Sequence, residues 1–241
     1  MKRRSTASAG IAVVASLVLA GSAVAAFAGV TNGSYESGTN APTSGYRTLT
    51  APSTDLTGWT VTTGSIDWIG TYWPAAAGKK SLDMNGGSPG AISQVLATTI
   101  GKTYDVTFAL STNPEGPVAA YALTVAATGA TSKAFTFDRA VNGNTLSNMM
   151  WQAKKYSFTA TSATTTLSFA SGVAAGPHGP ALDNVVVTEK VASSSTGGPG
   201  AACKSGSWKT MVDKAGHHFR NQGDCVSTFA SKGKNPGAVK P

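Results

Sequence analysis

Cysteine is almost missing from this chain: two in 241 residues, Cys203 and Cys225. Charge is sparse as well, at 12% of residues, and there are only three histidines. Strong helix formers such as Glu, Gln and Leu are scarce, which argues against a helical architecture. Beyond the first residues no apolar run approaches the roughly 20 that a bilayer span requires, so no transmembrane segment is expected in the mature chain. Thr, Ser, Ala and Gly fill the chain instead, a mixture that favours extended chain and turns.

The N-terminus reads as an export signal. Lys2, Arg3 and Arg4 form a basic stretch, Ala12 to Ala20 is apolar, and small residues then lead to an Ala-x-Ala pattern. Cleavage after Ala25 or after Ala28 fits this pattern. Residues 1–28 are therefore expected to be a signal peptide and the mature protein to be secreted.

The formal net charge is +8, which invites a nucleic-acid reading until it is divided along the chain. The leader carries three basic residues and no acid. Between Gly29 and Lys190 there are nine basic and nine acidic residues, and from Val191 onward seven basic and two acidic. The long middle segment is thus neutral and has no electrostatic reason to seek phosphate backbones. The cationic character sits in the tail, on Lys204, Lys209, Lys214, Arg220, Lys232, Lys234 and Lys240. These could hold anionic wall polymers or simply confer solubility. Both cysteines lie in the same tail, and a lone pair in an exported chain is expected to form a disulfide, contributing roughly 3 kcal/mol to its local fold. A Gly/Ser-rich linker over residues 191–202 is expected to separate this Cys-bounded module, residues 203–241, from the main domain, residues 29–190.

Within the main domain the dominant period is two. Tyr104, Val106, Phe108 and Leu110 alternate with small or polar residues; so do Tyr121, Leu123 and Val125, and the pairs Phe135/Phe137, Tyr156/Phe158 and Leu167/Phe169. Each run offers one apolar face, as a strand with one buried side should. With Trp59–Thr63, Ser65–Ile69, Ser81–Met84, Ala91–Leu96 and Leu182–Glu189, nine or ten short strands are predicted, separated by Gly, Pro, Asn and Ser clusters. No helical period intervenes, so the expected fold is all-β: an antiparallel β-sandwich of jelly-roll type, followed by a small disulfide-closed appendage.

A series of strings occurs in order: Val30-Thr-Asn-Gly-Ser-Tyr-Glu36, Gly58-Trp-Thr-Val61, Ser65-Ile-Asp-Trp-Ile-Gly-Thr-Tyr-Trp73, Ser81-Leu-Asp-Met84, Ser88-Pro-Gly-Ala-Ile-Ser-Gln94 and Gly179-Pro-Ala-Leu-Asp-Asn-Val-Val-Val187. From Val30 to Glu189 this resembles the choice-of-anchor C family of bacterial surface and secreted proteins. Those are similar in turn to the plant cell-wall proteins of domain-of-unknown-function 642 and to galactose-binding-like jelly rolls. The resemblance implies a jelly roll, an extracytoplasmic location and association with glycan or cell wall, with no established reaction. In related carbohydrate-binding jelly rolls, the acid closing the opening string and the Asp of the final strand share a structural calcium. By that likeness Glu36 and Asp183 would hold Ca2+ here. The alternative is that Glu36 caps a turn and Asp183 accepts backbone N–H bonds. Two carboxylates alone fall short of a calcium shell.

Trp68, Tyr72 and Trp73 form the one aromatic cluster, and aromatic faces flanked by hydrogen-bonding groups suit the C–H faces of sugars. Alternation from Ile66 turns Trp68 inward, whereas Tyr72 and Trp73 are expected to be exposed. Catalytic signatures are weak. Gly86-Gly-Ser-Pro-Gly90 matches a hydrolase elbow in spelling, but Pro89 lacks the N–H that an oxyanion hole needs, so it reads as a turn. Ser231-Lys-Gly-Lys234 lacks companion motifs. His178 has no sequence partner, and His217-His218 lacks the spacing of a zinc helix. The expected function is non-catalytic binding of an extracellular polysaccharide or cell-wall glycan. A matrix or adhesion protein with a protein partner, or a glycoside-active enzyme, are the alternatives.

Overall fold

The period-two segments become strands that pair only antiparallel. In the computed structural model, residues 29–190, 203, 206–213 and 216–230 are described; the expected signal peptide and linker lie outside them. One sheet has six strands, in the order β1 (Tyr46–Thr50), β3 (Ser65–Ile69), β4 (Ser81–Asp83), β11 (Pro180–Glu189), β6 (Thr103–Thr112) and β9 (Gln152–Thr159). The other has five: β2 (Thr60–Thr63), β5 (Ala91–Ala97), β10 (Thr164–Ser171), β7 (Ala120–Ala127) and β8 (Lys133–Asp138). Neighbours in each sheet are mostly distant in sequence, and the two layers form the expected jelly-roll sandwich.

The layers are joined by large side chains that alternation sends inward. Phe108 of β6 meets Phe169 of β10 and Phe135 of β8 edge-on, at centroid separations of 5.5 and 5.2 Å. Trp59 packs on Phe169 from the other side. Ile66, Trp68, Leu82, Val106, Leu110, Leu123, Val125 and Leu182 complete the same core. Removing one such aromatic costs about 3–5 kcal/mol. One strand, β1, has no counterpart in the period-two reading. Of its five residues only Leu49 is buried, so it shows no apolar rhythm; it is held by pairing with β3 from Tyr46↔Ile69 to Thr50↔Ser65.

Alternation fails at one end of the six-stranded sheet, and this failure places the site. All three residues of β4 are buried, as are the first four of β11 and the last five of β6. The sheet's outer face is covered there by Trp73, Met149 and Trp151, which pack with Ile69 and Ala181. Past that end, β11 carries a bulge between Asp183 and Val186, and Val185 donates to the Gly33 carbonyl of the opening segment. The extra residue lets Leu182 and Val185 both point into the core while Asp183 is aimed outward.

The Cys-bounded segment has its own small core. Cys203 and Cys225 form the expected disulfide, with Cα atoms 5.8 Å apart. Around it pack Phe219, Trp208, Met211 and Val226. A helix not anticipated from the sequence, Gln222–Ala230, carries Cys225; it is α2, α1 being the single turn Arg139–Asn142 after β8. Among the described residues no helix is long and apolar enough to cross a membrane.

Candidate functional site

Glu36 and Asp183 converge on one loop, the segment 74–80 between β3 and β4. Glu36 lies in irregular chain before β1, not on a strand. Its Oε1 accepts from the backbone N–H of Lys79 and Lys80, both at 2.7 Å. Asp183 Oδ2 accepts from Ala76 and Ala77 at 2.7 and 2.9 Å, and Oδ1 from Asn184 at 2.6 Å. Gly78 makes this grip possible: its φ is +68°, and a Cβ there would come within 2.4 Å of Glu36 Oε1. Burial pushes the Asp183 carboxyl up to about 7; its three hydrogen bonds oppose this, and the Glu36 charge adds to it. Among the described residues no third His, Cys, Asp or Glu joins them in a metal-holding group. The hydrogen bonds thus follow the capping alternative.

The aromatic cluster divides differently from the sequence expectation. Trp68 is wholly buried in the main core and its indole N–H donates to the Tyr35 carbonyl at 2.8 Å, so it presents no face to a ligand. Trp73, expected at the surface, is also buried, donating to Ser81 Oγ at 2.9 Å. The physical reason is that the chain leaves strand geometry after Ile69, so the alternation that placed Trp68 no longer governs position 73. Tyr72 stays half-buried at the surface. It meets the exposed ring of Tyr46 edge-on at 5.5 Å and donates its hydroxyl to Glu115.

These two tyrosines rim a cleft of about 140 Å³ on the outer face of the six-stranded sheet. Its wall is acidic. Cross-strand register sets Thr48 beside Asp67 and Asp67 beside Asp83, with Ala181 and Ser111 continuing the row. Like charges directly opposite are destabilising in a sheet; placing two carboxylates so is a local conflict of the kind that marks functional sites. Burial and this opposition both favour the protonated form of the inner carboxyl. Asp83, with no exposed surface, is pushed up to about 8, first by burial and then by the Asp67 charge, against hydrogen bonds from Asn85, Asn113 and Gly179 that lower it. Asp67, taking a 2.5 Å bond from Thr48, is also raised by burial. Asn113, Glu115 and His178 complete the polar lining and Trp73 contributes to the floor.

Gly179 lets the 172–179 loop close over Asp83. A Cβ at that position would lie 2.6 Å from Asn85 Oδ1 and 2.7 Å from Asp83 Oδ1. Sequence reading left His178 as an unpartnered loop residue; the fold carries it half-buried into the acidic cleft. Asp67 and Asp83 were not singled out at all. The available signal was a pair of acids each placed between apolar residues of predicted strands, Ile66-Asp-Trp68 and Leu82-Asp-Met84. The turn reading of Gly86–Gly90 holds: Asn85 bridges Pro89, and Ser88 Oγ sits 3.2 Å from Ser65 Oγ.

The chain is 34% identical over 166 residues to halomucin of Haloquadratum walsbyi; the match spans 66% of this chain and 2% of halomucin. Among solved structures it is similar to a family 35 carbohydrate-binding module from Paenibacillus barcinonensis, at 22% identity and a TM-score of 0.39, covering 60% of this chain and 99% of that one. It is also similar to the module TmCBM61, solved in complex with β-1,4-galactotriose, at 14% identity and a TM-score of 0.39, covering 66% and 96%. A family model, described as protein of unknown function, matches residues 28–188, and the chain belongs to that family, DUF642.

Proposed function

We propose that this protein binds a carbohydrate, without catalysing a reaction, in the cleft rimmed by Tyr46 and Tyr72. One observation carries the reading: an aromatic edge and a bank of hydrogen-bond acceptors share one small depression. Sugars offer apolar C–H faces and hydroxyl donors together, and this lining answers both. The test is titration calorimetry against a panel of wall and plant polysaccharides. Binding that falls at least tenfold in Tyr46→Ala and Tyr72→Ala supports the proposal; no binding across the panel removes it.

Three finer points belong to the same proposal. The ordered strings support a reading of the protein as a member of the choice-of-anchor C branch, secreted and associated with the cell wall. Its basic Cys-bounded tail adds attraction to anionic wall polymer. Glu36 and Asp183 are the residues that would hold a structural calcium, which would neutralise their mutual repulsion and tie the opening segment to the last strand. Titration of chelated protein with calcium tests this; no heat and no rise in melting temperature would remove the calcium and leave the backbone N–H groups and the Lys80 ammonium, 3.7 Å from Glu36 Oε2, as their partners.

A second reading has one specific observation behind it. Asp67 and Asp83 pair a partly accessible carboxylate with a protonated one, the combination glycoside hydrolysis uses. Against it, Asp83 is enclosed and tied by three hydrogen bonds. Release of reducing sugar that disappears in Asp67→Asn would establish the enzyme.

A further inference from the structure

We infer that the ligand is an internal stretch of an uncharged polysaccharide, running from the aromatic cleft past His178 into a second trough beside it. This rests on the glycan-binding reading of the cleft. The cleft alone, at about 140 Å³, falls below the roughly 300–1,000 Å³ of ordinary ligand sites. The neighbouring trough, at about 480 Å³, lies within that range by itself, so a chain held at the cleft has room to continue beside it. His178 lines both depressions, while the residues before it divide, Gly176 bordering the trough and Pro177 the cleft. A half-buried imidazole, able to donate and accept, therefore stands where one sugar would pass to the next.

The trough lies between β7 and the 172–178 loop. Exposed Ala119, Ala120, Ala174 and Ala175 line it, with Tyr121 at its base. Small apolar side chains leave room for the C–H face of a sugar ring and contribute no charge. The loop is held in place on both sides: Gly172 donates to the Ala122 carbonyl at 2.8 Å, Asn85 Nδ2 to the Gly176 carbonyl at 2.9 Å, and Gly179 to Asp83 at 2.9 Å. A trough held this way is preformed, so a chain that enters it costs little ordering. Charge sets the class of chain. Besides the enclosed Asp83, the lining of the two depressions contains the carboxyl groups of Asp67 and Glu115 but no Lys or Arg, so a polymer bearing carboxylates is repelled.

The test is calorimetry on the full chain with ladders of one to six units of β-1,4-linked glucose, xylose and galactose, and with polygalacturonate. The hexamer of at least one series should bind about tenfold or more tighter than its dimer, about 1.4 kcal/mol. Ala174→Trp, or Ala120→Trp as a second exposed site, should reduce the hexamer to the dimer's affinity and leave the dimer unchanged. Polygalacturonate should not bind. Equal affinities for dimer and hexamer, full hexamer affinity in both tryptophan variants, or preference for polygalacturonate would each overturn the inference. A dimer that binds, and is lost in Tyr72→Ala, while length adds nothing would sink the extended path and leave the cleft reading standing. No binding by any ladder would sink both.

Discussion

Replacing Asp83 by Asn isolates the most unusual group in the sandwich. Its carboxyl has no exposed surface and stands opposite Asp67. Burial and the Asp67 charge raise it from 3.8 to about 8, against three hydrogen bonds. Over that interval the folded protein keeps a proton that the unfolded chain has released. The sign follows: this group's stabilisation is complete below the unfolded value and is lost as pH rises through the folded one. At roughly 1.4 kcal/mol per pH unit, the wild type loses about 6 kcal/mol between pH 4 and pH 8 on this group alone. An amide keeps the shape and cannot ionise, so Asp83→Asn lacks the loss. The variant should gain on the wild type as pH rises, their Tm difference drifting by roughly 12–24 °C across the window for a domain of this size. Scanning calorimetry of both proteins from pH 4 to 9 measures it, and subtraction cancels the titrating groups that are not coupled to Asp83, Asp183 included. A difference that stays flat would refute a protonated Asp83, and with it the account of how the sheet tolerates two opposed carboxylates.

The Glu115 hydrogen bond is the largest cause pushing the Tyr72 hydroxyl up to about 12. Glu115→Gln should return it toward 10, read by absorbance titration of the tyrosinate; no movement would mean that the bond does not form in solution. Gly179→Ala forces a Cβ against Asn85 and Asp83 and should destabilise the sandwich by about 1–3 kcal/mol, measurable in urea; an unchanged midpoint would show that the loop relaxes freely. Changing both Cys203 and Cys225 to Ser should cost the tail module about 3 kcal/mol, seen as faster hydrogen exchange of the α2 amides. Protection equal to the wild type would show the module's small core suffices without the bridge.

Particular elements show why some features were legible and others not. The inward sets Tyr104/Val106/Phe108/Leu110 and Tyr121/Leu123/Val125 are buried as their spacing demands, because a strand's two faces are set within the strand itself. β1 left no such trace, since Leu49 is its one buried side chain. Trp73 was misplaced because the sequence shows where alternation runs but not where a loop folds back over the sheet. The metal candidates Glu36 and Asp183 were paired only by resemblance; the structure brings both onto the backbone N–H groups of 76–80, a loop that carries no motif.

The sequence by itself determined the layered all-β fold, the inward residues of most strands and the pairing of the two cysteines. All of these follow from local period, composition and simple counting. The acidic cleft was decided only in three dimensions. Asp67 faces Asp83 because β3 pairs with β4 at Ile69↔Ser81, and a slip of one residue would turn β4's carboxylate toward the core. His178 reaches the same place from the other end of the chain. Register and loop closure are relations between distant segments, and no spacing within one segment encodes them.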